Sequence, residues 1–479
     1  MNILFVASEA APFCKTGGLA DVAGALPPAL AKNPEDKVSV ILPLYGQIAD
    51  TWRRQMTFRC YIYIDVAWRH QYCGLFSMEY QNVTWYFVDN EQYFKRGQLY
   101  GEYDDGERFA FFSRAVVSLL ASLDEMPDVI HCNDWQTALV PIYLRDMATR
   151  WETIRRIRTV FTIHNIEYQG RFGGEFLHDV LGLDAGWLDD GTLQMDGDIN
   201  LLKGAMLVSD AVTTVSPTYA AQLHDSYYAH RMVSIITALG DKVSGILNGI
   251  DVVSYDPQTD DALTKNYKVT AMGGKTGGKA ACKKALQQEM GLAPEPDTPL
   301  IAIVSRLVGH KGMDLVCEVF DEIVHSGVQV LVLGKGEEQY ESFFRNKAQQ
   351  YPGRVSAQIT YSEALSRRIY SGSDLFLMPS RSEPCGLSQM IAMRYGTVPI
   401  VRCTGGLKDS VRSCQAGQSD GTGFLFDNYN AQDMLYVIRQ AAELYRTDPE
   451  GFRNVQKNGM TTDFSWDRSA RQYRGLYTK

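Results

Sequence analysis

The chain has 479 residues, a formal net charge of −9, and 45% hydrophobic against 22% charged residues. That length is too great for one ordinary core, so two or more domains are expected, and the composition excludes wholesale disorder. The acidic balance argues against nucleic acid as a partner. No apolar run reaches the ~20 residues of a membrane span, and the opening MNILFVASEA lacks the basic flank and length of a signal peptide. The nine cysteines form no CxxC pair. The expectation is therefore a cytoplasmic protein with no membrane association, no zinc site and no disulfide framework.

In chain order, residues 3–7 read as a buried strand, followed by Lys15-Thr16-Gly17-Gly18 and a helix over about 19–31. Residues 38–42 form the next strand. From 57 to 89, aromatic and β-branched residues alternate with polar ones, which predicts a hairpin-rich insertion with one solvated face. A helix is expected over 107–123. Three strands then each end in a polar motif: 128–131 before Asn133-Asp134-Trp135, 159–163 before His164-Asn165, and 211–215 before Ser216-Pro217. The strand pattern lapses between 256 and 299, where glycine, lysine and proline accumulate. A second series of strands follows at 300–305, 328–333, 355–359, 374–378, 398–401 and 423–426. Alternating strands and helices predict α/β domains with parallel, doubly wound sheets. We place the domains at 1–247 and 248–462, with an amphipathic tail, 463–479, packing back on the first.

The chemistry concentrates in loops at the carboxyl ends of strands, where ligands bind in open parallel sheets. Arg381 to Gly386 lead from one such strand into a helix N-terminus, so backbone N–H groups there favour an anion. Glu383 is itself anionic, which suits it to accept hydroxyls or to stabilise developing positive charge. Arg306 and Lys311 end another strand beside Gly309, and two cations there suit a diphosphate. KTGGL at 15–19 is neither a dinucleotide fingerprint nor a Walker loop. On spacing alone it is a βα turn with a lysine, or an N–H nest. A second KTGG, 275–278, has no strand before it and reads as an exposed loop. His164 can be a general base, a sugar-hydroxyl partner or a satisfied turn residue. Asp196-Gly197-Asp198 resembles a metal-binding DxD but lacks a buried strand before it, so helix N-capping is the expected role.

Taken together, KTGGLADV, HCNDWQ, FTIHNIEYQG, LNGID, SRLVGHKG, YSEALSRRIY and PSRSEPCGLSQMIAMRYGTVPIV followed by TGGL resemble the bacterial glycogen synthase and plant starch synthase family, over essentially the whole chain. The resemblance implies a GT-B fold, two Rossmann-like domains facing across a deep cleft that holds the site. It also implies a retaining transferase that moves glucose from ADP-glucose to the non-reducing end of an α-1,4-glucan such as glycogen. No cofactor or metal is expected, because the motifs offer cations and helix amides for the diphosphate and no credible DxD or His/Cys cluster.

The roles it implies for individual residues are these. Lys15, Gly17 and Gly18 would meet the donor's phosphates or sugar, and Arg306 and Lys311 the diphosphate. Glu383 would lie by the glucose, with Gly386, Leu387 and Ser388 close to the donor. Asn248 and Tyr361 would contact the donor, the tyrosine near the adenine. His164 and Asp134 would line the sugar and acceptor side, where Asn165, Trp135 and Tyr93 are weaker candidates. Many retaining relatives carry a second glutamate seven positions after the first; here that position is Ile391. The alternatives are a related transferase using UDP-glucose or another acceptor, and a catalytically silent nucleotide-sugar-binding protein.

Overall fold

The computed structural model describes residues 1–148, 151–272, 277–414 and 420–479. The chain divides into two compact units, unit 1 being Met1–Gly249 with Trp466–Lys479 and unit 2 Ile250–Ser465. With the division after Gly249, Asn248 belongs to unit 1 rather than opening the second unit.

Unit 1 begins with β1 (Asn2–Val6), β2 (Lys37–Pro43), β3 (Thr57–Val66), β4 (Arg69–Tyr80), β5 (Val83–Asp89), β6 (Val129–Asn133) and β7 (Arg158–Ile163). Three short strands, β8 (Arg171–Phe172), β9 (Gln194–Met195) and β10 (Asp198–Asn200), form a separate sheet, after which β11 (Ala211–Thr214) and β12 (Val243–Gly245) rejoin the first. The spatial order of the nine-stranded sheet is β12-β11-β7-β6-β1-β2-β5-β4-β3. β3, β4 and β5 pair antiparallel, and the remaining neighbours pair parallel. The insertion read at 57–89 thus extends the main sheet. Its outer face carries exposed Tyr61, Tyr63 and Tyr72, as alternation at a solvated face requires.

Two details of the sequence reading change. Asp196 and Gly197 both have positive φ (55° and 88°) and form the two-residue turn between β9 and β10. An Asp-Gly pair suits that left-handed geometry. The helix Leu201–Val208 starts later and is capped by Asn200, whose side chain accepts from Lys203 N. Of the second KTGG, 275 and 276 lie outside the described residues. Gly278, buried, opens the helix Gly278–Glu289 rather than sitting in an exposed loop.

The helix Trp466–Tyr477 is part of unit 1. Its Asp467 pairs with Lys32 at 2.6 Å, its Arg474 with Asp36 at 2.7 Å, and Tyr477 reaches buried His131 on β6, hydroxyl to Nδ1, at 2.7 Å.

Unit 2 contains β13 (Leu300–Val304), β14 (Gln329–Leu333), β15 (Val355–Gln358), β16 (Leu375–Met378), β17 (Val398–Arg402) and β18 (Phe424–Phe426), all parallel, in the order β15-β14-β13-β16-β17-β18. Strands buried on both faces need near-continuous apolar runs, and LIAIV, QVLVL and LFLM supply them. The helix Ala431–Thr447 closes one face with Met434, Leu435, Ile438, Ala441 and Ala442, at the spacing of a core-facing stripe. Two lysines of Gly278–Glu289 are buried instead of solvated. Lys279 donates to the carbonyls of Ser371 (3.1 Å) and Tyr395 (3.0 Å) and to Thr397 Oγ1 (2.8 Å), and Lys283 pairs with Asp374 at 2.6 Å. Burial holds Lys279 down at about 7. No helix among the described residues is long and apolar enough to cross a membrane.

Candidate active site

In the parallel part of each of the two larger sheets the strand order reverses once. The reversal lies at β1 in unit 1, flanked by β2 and β6, and between β13 and β16 in unit 2. Loops leaving the carboxyl ends of strands diverge at such a point and leave a crevice. Of the loops singled out in the sequence, Lys15–Gly18 follows β1, Asp134 follows β6, Arg306 and Lys311 follow β13, and Arg381–Gly386 follows β16, whereas His164 follows β7 next to β6.

In unit 1, Asp134 follows β6 with φ 57° and ψ 176°, an expensive conformation for a residue other than glycine. Its Oδ1 accepts from the backbone N–H of His164 at 2.7 Å and of Asn165 at 3.5 Å, which ties the ends of β6 and β7 together. Burial pushes the Asp134 carboxyl up to about 7, against the pull of those two amides. The His164 ring donates or accepts at Nε2 with Asn133 Oδ1, 2.9 Å away, and burial holds its pKa down at about 3. Asn165 Oδ1 accepts from Glu167 N in a local turn. Trp135 packs edge-on against Phe109 and beside Phe172, and with Tyr103, Tyr168 and Phe172 it lines a cavity of about 540 Å³ in unit 1.

The loop after β1 is organised by Glu9, which sequence reading missed. Glu9 is buried, and its Oε2 accepts from Thr16 N (2.5 Å) and Thr16 Oγ1 (2.8 Å), with the Gly17 amide also bonded to its carboxylate. Burial raises its pKa, and those bonds oppose the rise. The Gly17 amide, expected to meet the donor's phosphates or sugar, is bonded to Glu9. Gly18 has open space where a Cβ would stand, and Lys15 Nζ pairs with Asp21 at 2.6 Å. Asn248 is buried, and its Oδ1 has no hydrogen-bond partner among the described residues. Tyr93 does not belong with this group. It is fully buried, its hydroxyl donates to Glu107 at 2.5 Å, and Glu107 in turn pairs with Arg69, so it offers nothing to a sugar.

In unit 2, Lys311 after β13 and Glu383 after β16 meet: Nζ to Oε2 is 2.6 Å, with side chains 16% and 9% exposed. Ser380 Oγ donates to the same carboxylate oxygen at 3.0 Å. The two were expected to serve opposite charges, and the structure makes them one ion pair. Arg306 is exposed, and its Nη2 approaches His310 Nε2 at 3.5 Å. Gly386 takes φ +73°, and the short helix Ser388–Arg394 follows with Leu387 at its N-cap. Gln389 ties this loop down: its Nε2 donates to Cys385 O (3.3 Å), Gly386 O (2.9 Å) and Ser410 Oγ (2.9 Å). From below, a Cβ on Gly405 or Gly406 would stand 2.0 Å from Glu383 O or 2.1 Å from Cys385 O. Tyr361, after β15, is 77% exposed and lies near Tyr370, whose hydroxyl bonds Ser388. Among the described residues, no group of three or more His, Cys, Asp or Glu is arranged to hold a metal ion.

The starch synthase catalytic domain model matches residues 2–238, and the glycosyl transferases group 1 model matches 287–458. A glycogen synthase from Anoxybacillus flavithermus is 48% identical over 477 residues, covering 100% of this chain and 97% of that protein. One from Geobacillus thermodenitrificans is 47% identical with the same coverage. The chain belongs to the glycogen synthase family. Among solved structures, the catalytic domain of starch synthase IV from Arabidopsis thaliana, bound to ADP and acarbose, superposes with a TM-score of 0.90 at 35% identity, covering 99% of this chain and 98% of that one. Sucrose-phosphate synthase from Thermosynechococcus elongatus, 18% identical with a TM-score of 0.60, shares the fold. The glycogen synthase family member described here is a glycosyltransferase of the GT-B type.

The environment of Asp134 has a consequence for stability. A carboxyl whose pKa is raised on folding contributes fully below its unfolded value, about 3.9, and that contribution is lost as pH rises through about 7. Asp134→Asn keeps an acceptor for the His164 amide and removes the charge. The variant should match wild type in stability below about pH 4 and exceed it near pH 8, by about 1–3 kcal/mol, the cost of a poorly solvated polar group. Equal melting temperatures at both pH values would contradict this.

Proposed function

We propose that this chain transfers glucose from ADP-glucose to the non-reducing end of an α-1,4-glucan, with retention of configuration, and that its polymer is glycogen. The observation that carries the reading is the full-length identity of 48% to a glycogen synthase, joined to the match with a starch synthase that holds ADP and acarbose. The geometry within each unit supports it. In unit 2, Arg306 and Lys311 supply cations for the departing diphosphate, and Glu383 supplies an anion for the sugar as it gains positive charge. Tyr361, largely exposed beside the 388 helix, is a surface for the adenine. In unit 1, His164 faces the sugar, Gly18 and Lys15 border the donor, and the buried, unpartnered Asn248 Oδ1 accepts a donor hydrogen. The aromatic cavity at Trp135 takes the acceptor chain, since flat rings stack well on pyranose faces.

In the reaction, the bond from C1 to the diphosphate breaks, C1 bonds to the acceptor oxygen on the same face, and the acceptor's proton goes to the leaving phosphate. We also propose that no metal is required, because Arg306 and Lys311 bring the charge a metal would, and that the enzyme works in the cytoplasm, where its nine cysteines stay reduced. Purified protein with glycogen primer should incorporate labelled glucose from ADP-glucose far faster than from UDP-glucose, and excess chelator should leave the rate unchanged. Preference for UDP-glucose, or a chelated enzyme revived by manganese, would overturn the respective part.

A further inference from the structure

Asn133 ends β6 immediately before Asp134, and it is wholly buried. Its side-chain nitrogen donates to Val6 O at 3.0 Å and to His131 O at 3.4 Å. Both partners are carbonyls, which only accept, so the orientation of the amide is dictated and Oδ1 is left facing His164 Nε2 at 2.9 Å. The main chain of Asn133 is clamped as well: its N–H donates to Thr137 Oγ1 at 2.6 Å, and that hydroxyl donates back to Asn133 O at 2.8 Å. An acceptor held this rigidly can be met only by an N–H. Among the described residues, the other ring nitrogen of His164, Nδ1, has no hydrogen-bond partner.

We infer that Asn133 is a positioning residue that fixes His164 as the neutral Nε2–H tautomer, so that Nδ1 is presented as an acceptor for a hydroxyl of the bound sugar. The inference rests on the reading of His164 as a sugar-facing residue. It narrows the three roles left open by the sequence: the ring receives a hydrogen bond from substrate and does not give one. Its low pKa, about 3, agrees with a ring that stays neutral through the working range. The titratable groups around it are Asp134 in the loop after β6, His131 on β6, Glu9 in the loop after β1 and Tyr219 in the helix Pro217–Gln222. Asp134 is bonded to the His164 main chain, and Glu9 and Tyr219 are coupled to Asp134.

The test begins with the whole wild-type chain carrying ring-¹⁵N histidine, the His164 signals being assigned by their absence in His164→Gln. A pyrrole-type Nε2 and a pyridine-type Nδ1, unchanged from about pH 5 to about pH 8, are expected. An Nδ1–H pattern, or titration within that range, would overturn the inference. Asn133→Asp supplies the second reading. It places an anion against Nε2–H and so raises the His164 pKa. Because Asp134 titrates in both proteins, the quantity to follow is the ratio of variant to wild-type kcat. That ratio should fall by roughly tenfold per pH unit below the raised His164 value, as Nδ1 gains a proton and ceases to accept. A ratio that is constant with pH would assign Asn133 a purely structural role and overturn the inference. The ring spectrum needs no substrate, so an Nε2–H pattern in a protein that transfers no glucose would refute the donor reading and still uphold the fixed tautomer.

Discussion

Removing either member of the Lys311–Glu383 pair is expected to lower kcat by about 10²–10³, roughly 2.7–4 kcal/mol, as loss of one preorganised electrostatic partner does. The two losses should not add. The side chains touch at 2.6 Å, so each single variant also leaves the other ion, little exposed, without its counter-charge. Lys311→Ala/Glu383→Ala should therefore cost less than the product of the single effects. For the same reason these variants are expected to lose some stability, although both residues lie in loops. Glu383→Gln keeps the shape and the Ser380 contact but discards the charge. If the carboxylate's charge stabilises the reacting sugar, Gln will be nearly as poor as Ala in kcat. A Gln variant within a few-fold of wild type would show that Glu383 only orients hydroxyls. Steady-state kinetics on the three singles and the double variant, with melts alongside, measure all of this.

Gly406→Ala should be at least as damaging while touching nothing chemical. Its Cβ would stand 2.1 Å from Cys385 O and 2.4 Å from Cys385 Cα. Those are backbone atoms, with no flexible end to swing away. Gly406 N also donates to Glu383 O at 3.1 Å and to Pro384 O at 3.2 Å. The methyl group therefore pushes the whole 383–385 backbone off its seat and takes Glu383 with it. A displacement near 1 Å at a positioned group costs on the order of 10²-fold in rate. The unit 2 core beneath does not depend on this loop, so far-ultraviolet dichroism should stay native while kcat falls by about 10² or more. Substantial activity in Gly406→Ala would mean that the loop is looser than its contacts indicate.

The reach of the sequence can be judged from these same residues. Lys311 and Glu383 were both visible, because parallel strands read as unbroken apolar runs and the polar residues ending them stand out. That they meet was not visible. They are 72 positions apart, and their contact depends on β13 lying beside β16, a strand order that no local pattern encodes. The same holds for Gln389, Gly405 and Gly406, which act on the 383–386 loop from a helix and from the end of β17. Glu9 had a weak signal, an acid directly after a buried strand, and its role appears only when the chain folds back to set Thr16 over it. Tyr93 was named from the resemblance alone, and no local pattern shows that its hydroxyl ends on Glu107, itself paired with Arg69. The Asp196-Gly197 turn was legible in principle. Its flanking strands are only two and three residues long, too short to show alternation.

The helix Trp466–Tyr477 sets when unit 1 can finish folding. Unit 2 is one uninterrupted stretch, Ile250–Ser465, whereas unit 1 needs residues from both sides of it. On the ribosome, the earlier-synthesised unit must wait for the later one. Its sheet can form, but the surface of β6 that carries His131 stays uncovered until Tyr477 emerges. Throughout that interval the nascent chain exposes a face that the folded unit hides, and a cell making this protein must keep that face from other chains until the helix Trp466–Tyr477 has emerged and docked.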